Sequence, residues 1–208
     1  MRVALIDYGA GNLRSAARAL AEAGTFPQVV TAPDGLHGAE MIVVPGVGAF
    51  RTAMSRLRAA GLVEAIGDAA RDGIPLVGIC LGMQLLLHES DEGGRTAGFG
   101  LIPGVVRRLP KGLKIPHMGW NTLEPRFADP LFEGLPARPY VYFVHSFAAW
   151  PSDPQAVVAD VMYGAAVPAV IRRGTIWGLQ FHPEKSSREG ARLLRNLVAA
   201  VASARAAV

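Results

Sequence analysis

Cysteine is nearly absent from this chain: one residue in 208, Cys80, carries a thiol. A lone cysteine excludes an intrachain disulfide and is typical of a protein that works in a reducing compartment. The common zinc-ligand spacings are missing too, because the chain has no second cysteine and no His-x-x-x-His pair. We therefore expect neither a structural disulfide nor a bound metal, and nothing in the sequence calls for another cofactor.

Long apolar runs are also missing, although 50% of the residues are hydrophobic. None approaches the roughly 20 residues that span a bilayer. The chain opens on a strand-like segment, residues 2–7, without a signal-peptide pattern. We expect a soluble cytoplasmic protein that does not bind a membrane.

Charge is sparse and scattered. Charged residues make up 18% of the chain and the formal net charge is +4, with the densest basic clusters at residues 107–108 and 172–173. No basic stripe alternates with aromatic residues, so we expect no nucleic-acid partner. A positive rim that attracts a phosphorylated ligand or an acidic protein is an alternative use of this charge.

The order of the apolar segments predicts a single α/β domain over residues 1–208, with an open, mostly parallel sheet flanked by helices. Predicted strands cover 3–6, 28–31, 41–44 and 74–79, and predicted helices cover 13–20, 49–60 and 62–71. Helical periodicity ceases near residue 105. The short strand-like pieces that follow predict antiparallel strands added to one region of the sheet, and a last amphipathic helix is predicted from Arg188.

Cys80 lies at a predicted strand-to-helix corner, because residues 81–87 have the pattern of a helix start. Gly78 and Gly82 flank it in the Gly-x-Cys-x-Gly spacing of a nucleophile elbow, where a Cβ at either glycine would obstruct the turn. A helix N-terminus would also favour the thiolate. The alternative is that Cys80 is only a small buried hydrophobic residue; the two glycines favour the nucleophile.

A nucleophilic cysteine needs a base, and His182 has Glu184 two residues away across Pro183. In an extended segment, residues i and i+2 point to the same side, and the proline should keep the segment extended. Glu184 would then accept a hydrogen bond from Nδ1 and leave Nε2 facing the sulfur, as in a catalytic triad. The alternative, a surface His and Glu on a loop, is disfavoured by the cysteine elbow.

Two glycine-rich turns follow predicted strands. The first, residues 9–11, half matches a dinucleotide fingerprint but lacks the third glycine, so a tight strand-to-helix turn is favoured over nucleotide binding. The second contains Val47 and Gly48 and could point N–H groups at an anion or a developing oxyanion. Taken alone this second signal is weak, since many such turns contain glycine.

Several stretches resemble one known family. Gly78-Ile-Cys-Leu-Gly-Met-Gln84 and Gln180-Phe-His-Pro-Glu184 resemble the class I glutamine amidotransferases. Five further stretches, at residues 6–14, 45–50, 116–121, 142–146 and 185–186, resemble the glutaminase subunits of imidazole glycerol phosphate synthase. The resemblance runs along essentially the whole chain.

This resemblance implies hydrolysis of L-glutamine to glutamate and ammonia, with Cys80 attacking the carboxamide, His182 protonating the leaving ammonia and Glu184 holding the imidazole. It implies an oxyanion hole formed by the N–H of Leu81 and an N–H of the Val47-Gly48 turn. The residues implied to hold the amino-acid end of the substrate are Gln84 and main-chain groups of His145, Ser146 and Phe147. Similar sequences often have tyrosine at position 147, a hydroxyl that main-chain binding does not require.

A partner is implied as well: a (β/α)8-barrel cyclase subunit that would form a heterodimer with this chain and use the ammonia in histidine biosynthesis. We also expect a partner because the 208 residues leave no room for an ammonia-acceptor site. The predicted interface comprises loops 8–12 and 117–121 and the region of residue 185. Its predicted contacts are Asn12, Trp120 as an aromatic anchor, and Lys185 as a candidate for an ion pair.

Other interpretations stay open at this point. Glutaminase subunits for anthranilate, aminodeoxychorismate or pyridoxal phosphate synthesis share the three catalytic residue types, but they resemble residues 45–50 and 116–121 much less. A cysteine hydrolase outside the amidotransferases would not be expected to have a late His-Pro-Glu. A binding module or inactive scaffold is disfavoured, because it would have no need for all three of Cys80, His182 and Glu184.

Overall fold

Strands alternate with helices in the first part of the chain and dominate the second part. The computed structural model describes residues 1–9, 11–110 and 112–206. The strands are β1 (Arg2–Ile6), β2 (Phe26–Val30), β3 (Met41–Gly46), β4 (Leu76–Cys80), β5 (Leu87–Ser90), β6 (Thr96–Ala97), β7 (Ile102–Arg108), β8 (His117–Pro125), β9 (Tyr140–His145), β10 (Phe147–Pro151), β11 (Val157–Met162), β12 (Ala166–Arg173) and β13 (Ile176–Leu179). The α-helices are α1 (Leu13–Glu22), α2 (Phe50–Ala59), α3 (Leu62–Arg71), α4 (Leu81–Leu85) and α5 (Ser187–Ala206).

A nine-stranded sheet forms the centre of the molecule, in the order β2-β1-β3-β4-β13-β12-β11-β8-β9. Strands β2, β1, β3, β4 and β13 are parallel, and β12, β11, β8 and β9 continue the sheet in antiparallel pairs. The predicted α/β class, a mostly parallel sheet with antiparallel additions, is therefore confirmed. Strand β4, which ends at the cysteine, lies in the middle of the sheet between β3 and β13.

Apolar residues cover both faces of this sheet, as strands buried between two layers require. Alternate residues of β1 separate into two cores: Val3 and Leu5 pack with α1 and α5, while Ala4 and Ile6 pack with α2 and α3. Helix α5 contributes one apolar face, as its periodicity predicts, and the buried residues of that face are Leu193, Leu194, Leu197 and Val201. None of the described helices is long and apolar enough to cross a membrane.

The predicted helix over 81–87 is too long. Helix α4 stops at Leu85, and residues 87–90 form strand β5. The reason is tertiary: the N–H of Phe99 takes the Leu85 carbonyl at 2.8 Å, and the N–H of Leu101 takes the Leu86 carbonyl at 3.0 Å. These carbonyls would otherwise continue the helix ladder.

The sequence pattern predicted that all the added strands join one region of the sheet, and this prediction is wrong. Strands β10, β7, β5 and β6 form a separate four-stranded sheet. One of the strand-like pieces after residue 105, the apolar run 140–149, is divided at Ser146, so that β9 pairs with β8 and β10 pairs with β7. The Ser146 carbonyl accepts a hydrogen bond from Leu109 N–H at 3.0 Å, which marks the point where the chain changes sheets.

Candidate active site

Cys80 occupies a strained corner between β4 and α4. Its φ and ψ are 55° and −108°, and a positive φ is uncommon for a residue other than glycine. A Cβ at Gly78 would lie 2.4 Å from the Gly82 carbonyl oxygen, and a Cβ at Gly82 would lie 1.8 Å from the Val44 carbonyl oxygen. Both obstacles are backbone atoms, so the predicted reason for the two glycines is confirmed.

The helix that begins after Cys80 is short. Helix α4 has five residues, little more than one turn, and so short a helix has few aligned peptide dipoles. Activation of the thiol by this helix N-terminus stays a prediction.

His182 and Glu184 form a buried pair. His182 Nδ1 donates to Glu184 Oε1 at 2.8 Å, and the two side chains are 4% and 7% exposed. The predicted extended segment is wrong, however: Pro183–Lys185 is a 3-10 turn, and Lys185 N–H donates to the His182 carbonyl at 3.0 Å. Proline suits the first position of such a turn as well as an extended segment, because its fixed φ is compatible with both.

The electrostatics of this pair favour an imidazolium. Burial alone would lower the pKa of His182, but its interactions with Cys80 and Glu184 outweigh burial and raise it to about 9. His182 Nε2 makes no hydrogen bond within the described part of the chain. Among the described residues, Nε2 and Glu184 Oε2 are the buried side-chain polar atoms without a partner. Unpaired buried groups of this kind are typical of catalytic sites.

Ser186 anchors the base to the sheet, a role not inferred from the sequence. Its hydroxyl accepts from Tyr142 N–H at 2.9 Å and donates to the His182 carbonyl at 2.6 Å, and the residue is fully buried. His182 N–H also donates to the Tyr142 carbonyl at 2.9 Å. These bonds attach the His-Pro-Glu turn to β9.

Gln180 is a second residue whose role was not inferred from the sequence. Its amide Nε2 donates to Cys80 Sγ at 3.8 Å, and its Oε1 accepts from Gln84 Nε2 at 3.1 Å. It lies directly after β13 and precedes His182 by two positions, a spacing that in an extended segment places alternate side chains on one side. That alternation is the sequence signal that could have identified it.

A cavity of about 310 Å³ opens beside the cysteine. It is lined by Val47, Gly48, Cys80, Leu81, Gln84, Glu92, Pro116, Val144, His145, Ser146 and Phe147. The structure thus brings together all the residues predicted to form the oxyanion hole and to hold the substrate. Their roles in binding stay predictions.

Main-chain carbonyls in this wall are already occupied. The Phe147 carbonyl accepts from Gln84 Nε2 at 2.9 Å and from His145 Nδ1 at 2.9 Å, and the Ser146 carbonyl accepts from Leu109. A substrate carboxylate only accepts hydrogen bonds, so the 145–147 segment could meet it through N–H groups but not through carbonyls.

Tyr8 makes a hydrogen bond next to the Val47-Gly48 turn. Its hydroxyl donates to the Pro45 carbonyl at 2.9 Å, directly before the turn that contains Val47 and Gly48. Burial, followed by the proximity of Cys80, raises the pKa of Tyr8, so the phenol stays a donor. Gly48 has a φ of +103° and open space around it, which leaves this peptide room to rotate.

The predicted interface residues are exposed. Asn12 caps α1 by accepting from Ser15 N–H at 3.3 Å, Trp120 is 43% exposed, and Lys185 Nζ lies 5.8 Å from the centre of the Tyr142 ring. Ala10, within the predicted 8–12 loop, lies outside the described residues. Over the part of the chain that is described, no group of three or more His, Cys, Asp or Glu residues could hold a metal ion.

Comparison with known proteins identifies the family. The family model described as "Glutamine amidotransferase class-I" matches residues 4–201. The chain belongs to the class I glutamine amidotransferases. The predicted resemblance is confirmed, and the Cys80 elbow and the His182–Glu184 pair lie inside the matched range.

Relatives within this amidotransferase family narrow the placement. The chain is 49% identical over 195 residues to "Imidazole glycerol phosphate synthase subunit HisH" of Symbiobacterium thermophilum, covering 94% of this chain and 92% of that protein. It is 48% identical over 196 residues to the protein of the same name from Moorella thermoacetica, covering 93% and 92%. The amidotransferase described here thus belongs with the HisH subunits.

Solved structures agree on the fold. A chain described as "Crystal structure of glutamine amidotransferase" superposes with a TM-score of 0.77 at 23% identity, covering 96% of this chain and 98% of that one. A chain of "Structure of PurLQS from Thermotoga maritima" superposes with a TM-score of 0.75 at 22% identity, with the same coverage. At such identities the likeness concerns the amidotransferase fold alone.

Proposed function

We propose that this chain is the glutaminase subunit of an imidazole glycerol phosphate synthase: it hydrolyses L-glutamine and supplies ammonia to a cyclase subunit in histidine biosynthesis. The observation that carries the proposal is the strained corner at Cys80, which lines the cavity and interacts with the buried His182 that Glu184 holds. Family membership and the HisH relatives support the choice of substrate and pathway. We expect it to act in the cytoplasm.

The first half-reaction uses the charged pair. Cys80 thiolate attacks the carboxamide carbon of glutamine, and a carbon–sulfur bond forms while the carbonyl electrons move to oxygen. The imidazolium of His182 then gives its Nε2 proton to the nitrogen, the carbon–nitrogen bond breaks, and ammonia leaves. Glu184 keeps the proton on Nδ1 and stabilises the positive ring. The product on the enzyme is a glutamyl thioester.

The second half-reaction reverses the proton transfer. Neutral His182 takes a proton from water, and the hydroxide attacks the thioester carbon. The carbon–sulfur bond breaks, glutamate leaves, and the Cys80 thiolate and the imidazolium are restored. One water is consumed and one ammonia is released for each glutamine.

The cavity walls would stabilise both intermediates. We assign the oxyanion hole to the N–H of Leu81 and to an N–H of the Val47-Gly48 turn, since all three residues line the cavity beside the sulfur. Loss of one such donor typically costs about 3–4 kcal/mol of barrier. Gln84 would hold the amino-acid end of glutamine together with the N–H groups of 145–147. Its Nε2 is used within the protein, so Oε1 is the atom left for the substrate.

The acceptor of ammonia would be a (β/α)8-barrel cyclase bound as a heterodimer. We place the interface at Asn12, Trp120 and Lys185. An exposed aromatic surface supports this placement: Trp120 stacks on Tyr140 with ring centres 5.7 Å apart, and both rings are more than 40% exposed. Lys185 directly follows the catalytic Glu184 and is also exposed. A partner at this surface would therefore lie close to the triad.

The function is tested by measuring glutamate release from glutamine. The assay compares the purified chain alone with the chain mixed with a barrel cyclase and the cyclase's ribonucleotide ligand. We expect very low activity from the chain alone and strong stimulation in the liganded complex. Cys80→Ala should abolish glutamate release while ammonia-dependent synthesis by the complex continues. High activity without a cyclase, or no response to it, would indicate a different glutaminase of the class.

The interface has its own test. Trp120→Ala and Lys185→Ala should weaken binding to the cyclase, or uncouple glutamate release from synthesis. Phe26→Ala is the matched control, because Phe26 is 72% exposed on β2, at the opposite edge of the nine-stranded sheet. Equal effects of Trp120→Ala and Phe26→Ala would contradict this placement.

A further inference from the structure

Two buried histidines face each other across neighbouring strands and are not part of the triad. His117 on β8 lies directly opposite His145 on β9 in the antiparallel register. Their rings are in contact: His117 Nδ1 is 3.0 Å from His145 Nε2, and the two residues are 3% and 5% exposed. Buried polar groups in such a position need every hydrogen bond satisfied.

The surrounding contacts fix which nitrogen donates. His145 Nδ1 is 2.9 Å from the Phe147 carbonyl, which can only accept, so Nδ1 carries a proton, and in a neutral ring Nε2 then accepts. His117 Nδ1 therefore donates to His145 Nε2, and in a neutral His117 ring Nε2 is left as an acceptor. The amide Nδ2 of Asn121 lies 3.4 Å from that atom and completes the arrangement. As neutral rings, both histidines thus have one defined tautomer.

The same chain of hydrogen bonds continues to the nucleophile. The Phe147 carbonyl that accepts from His145 also accepts from Gln84 Nε2, and Gln84 Nε2 donates to Gln180 Oε1. With its oxygen held in this way, Gln180 has its amide N–H directed at Cys80 Sγ, 3.8 Å away. Reversal of the Gln180 amide would point an oxygen at the sulfur and disfavour a thiolate.

We propose that the His117–His145 pair positions the groups around Cys80. As two neutral rings of fixed tautomer, the pair holds the Phe147 carbonyl in place. That carbonyl in turn orients the Gln84 and Gln180 amides so that an N–H is directed at the thiolate. Neither histidine touches the reacting atoms in this role. The proposal rests on the proposed function only where glutamine turnover is measured, because thiol reactivity can be read without substrate or partner.

Burial agrees with the required neutrality. It lowers the pKa of His117 to about 4 and, as the largest of several influences, lowers the pKa of His145 to about 4. The rings packed on His117 are those of Tyr163 at 4.0 Å and Phe143 at 4.8 Å, and neither offers a carboxylate. Both histidines are thus held uncharged at neutral pH.

The rate of Cys80 alkylation by iodoacetamide, measured from pH 5 to 10, tests this positioning role. The signal comes from Cys80 alone because the chain has no other cysteine. In His117→Leu we expect the midpoint of the rate profile to rise by about one pH unit, a tenfold lower rate below the midpoint. His117→Asn keeps a donor near the Nδ1 position and should recover most of the shift. His88→Leu, at an exposed histidine, is the control.

Asn121→Asp is a second variant for the case that changes at position 117 unfold the chain. It replaces the donor to His117 Nε2 by an acceptor at a partly exposed site, and the alkylation midpoint should rise here also. Asn196→Asp is its matched control. The Asn121 amide also donates to the Met162 carbonyl at 3.1 Å, and the Asn196 amide donates in the same way to the carbonyls of Leu131 and Glu133 but does not line the cavity beside the cysteine.

Folded His117→Leu and Asn121→Asp proteins with unchanged alkylation midpoints would overturn the proposal, even if their melting temperatures fall. The same holds if Asn196→Asp shifts the midpoint as much as Asn121→Asp. In complex with a cyclase, the variants should lower kcat for glutamine. A chain that proves not to be a glutaminase would still show the alkylation shifts, so the two failures are distinguishable.

Discussion

Replacement of Gly82 by alanine would test the cysteine elbow directly. The added Cβ would lie 1.8 Å from the carbonyl oxygen of Val44 and 2.8 Å from its carbonyl carbon. Both atoms belong to the buried strand β3, so neither can move aside as a flexible side chain could. A Cβ essentially never approaches another heavy atom within 3.0 Å. Helix α4 must therefore withdraw from β3 by about 1.2 Å, the difference between this limit and the 1.8 Å to the Val44 oxygen.

Two opposing effects set the size of the change in stability. Overpacking a buried site costs about 1–3 kcal/mol, while alanine in place of glycine inside a helix gains about 0.5–1 kcal/mol. We therefore expect a net loss of about 1–2 kcal/mol in the free energy of unfolding, or a melting temperature lower by about 2–8 °C for a chain of this size. Displacement of Cys80 by about 1 Å should reduce glutamine turnover by about 100-fold.

Gly67→Ala is the matched control for the elbow variant. Gly67 also lies inside a helix, α3, but a Cβ there would meet only the flexible Arg71 guanidinium, at 3.4 Å. This variant should gain about 0.5–1 kcal/mol and keep full activity. Thermal unfolding followed by circular dichroism and glutamate release in the cyclase complex measure both proteins. If Gly82→Ala behaved like Gly67→Ala in both assays, the close approach of α4 to β3 would not be what requires glycine.

Four further predictions concern the base. Because the pKa of His182 is raised from 6.5 to about 9, its contribution to stability should be complete below pH 6.5 and lost as the pH rises through 9. For the same reason kcat/KM should fall above pH 9, where no imidazolium protonates the ammonia; a pH-rate profile that already falls near pH 7 would contradict this. Glu184→Gln removes the carboxylate that supports the imidazolium, so the alkaline limb should move to lower pH and kcat should drop, with Glu64→Gln on α3 as the control. Ser186→Ala leaves the Tyr142 N–H without its partner and should cost about 1–3 kcal/mol by chemical denaturation. Exposed Ser152→Ala should change nothing, and an equal response of the two serine variants would refute the anchoring role.

The central strands, the Cys80 corner and the His182–Glu184 contact were predictable from the sequence because their signals are local. Apolar runs bounded by glycine gave β1, β3 and β4, since a strand buried on both faces needs an unbroken apolar stretch. The Gly-x-Cys-x-Gly spacing and the His-Pro-Glu triplet pointed to the same chemistry. The contact between His182 and Glu184 formed as expected, although through a 3-10 turn and not through an extended segment.

Features that depend on distant partners could not be predicted in this way. The end of α4 depends on Phe99, Leu101 and Ile102, whose N–H groups donate to the carbonyls of Leu85 and Leu86. Nothing within 81–87 signals a stop. The assignment of β10 to a second sheet depends on its pairing with β7, about 40 residues earlier in the chain. Ser186 gives no local signal, because its anchoring role consists of bonds to β9 and to a backbone carbonyl.

Sequence alone therefore determined which groups we propose for the chemistry, because thiol, imidazole and carboxylate are properties of single residues and their spacing. Tertiary structure alone decided how those groups are held. The Gln180 amide meets the sulfur of a residue 100 positions earlier, and His117 meets His145 across 28 positions. A hydrogen bond between residues so far apart exists only once the sheet has set the register of its strands.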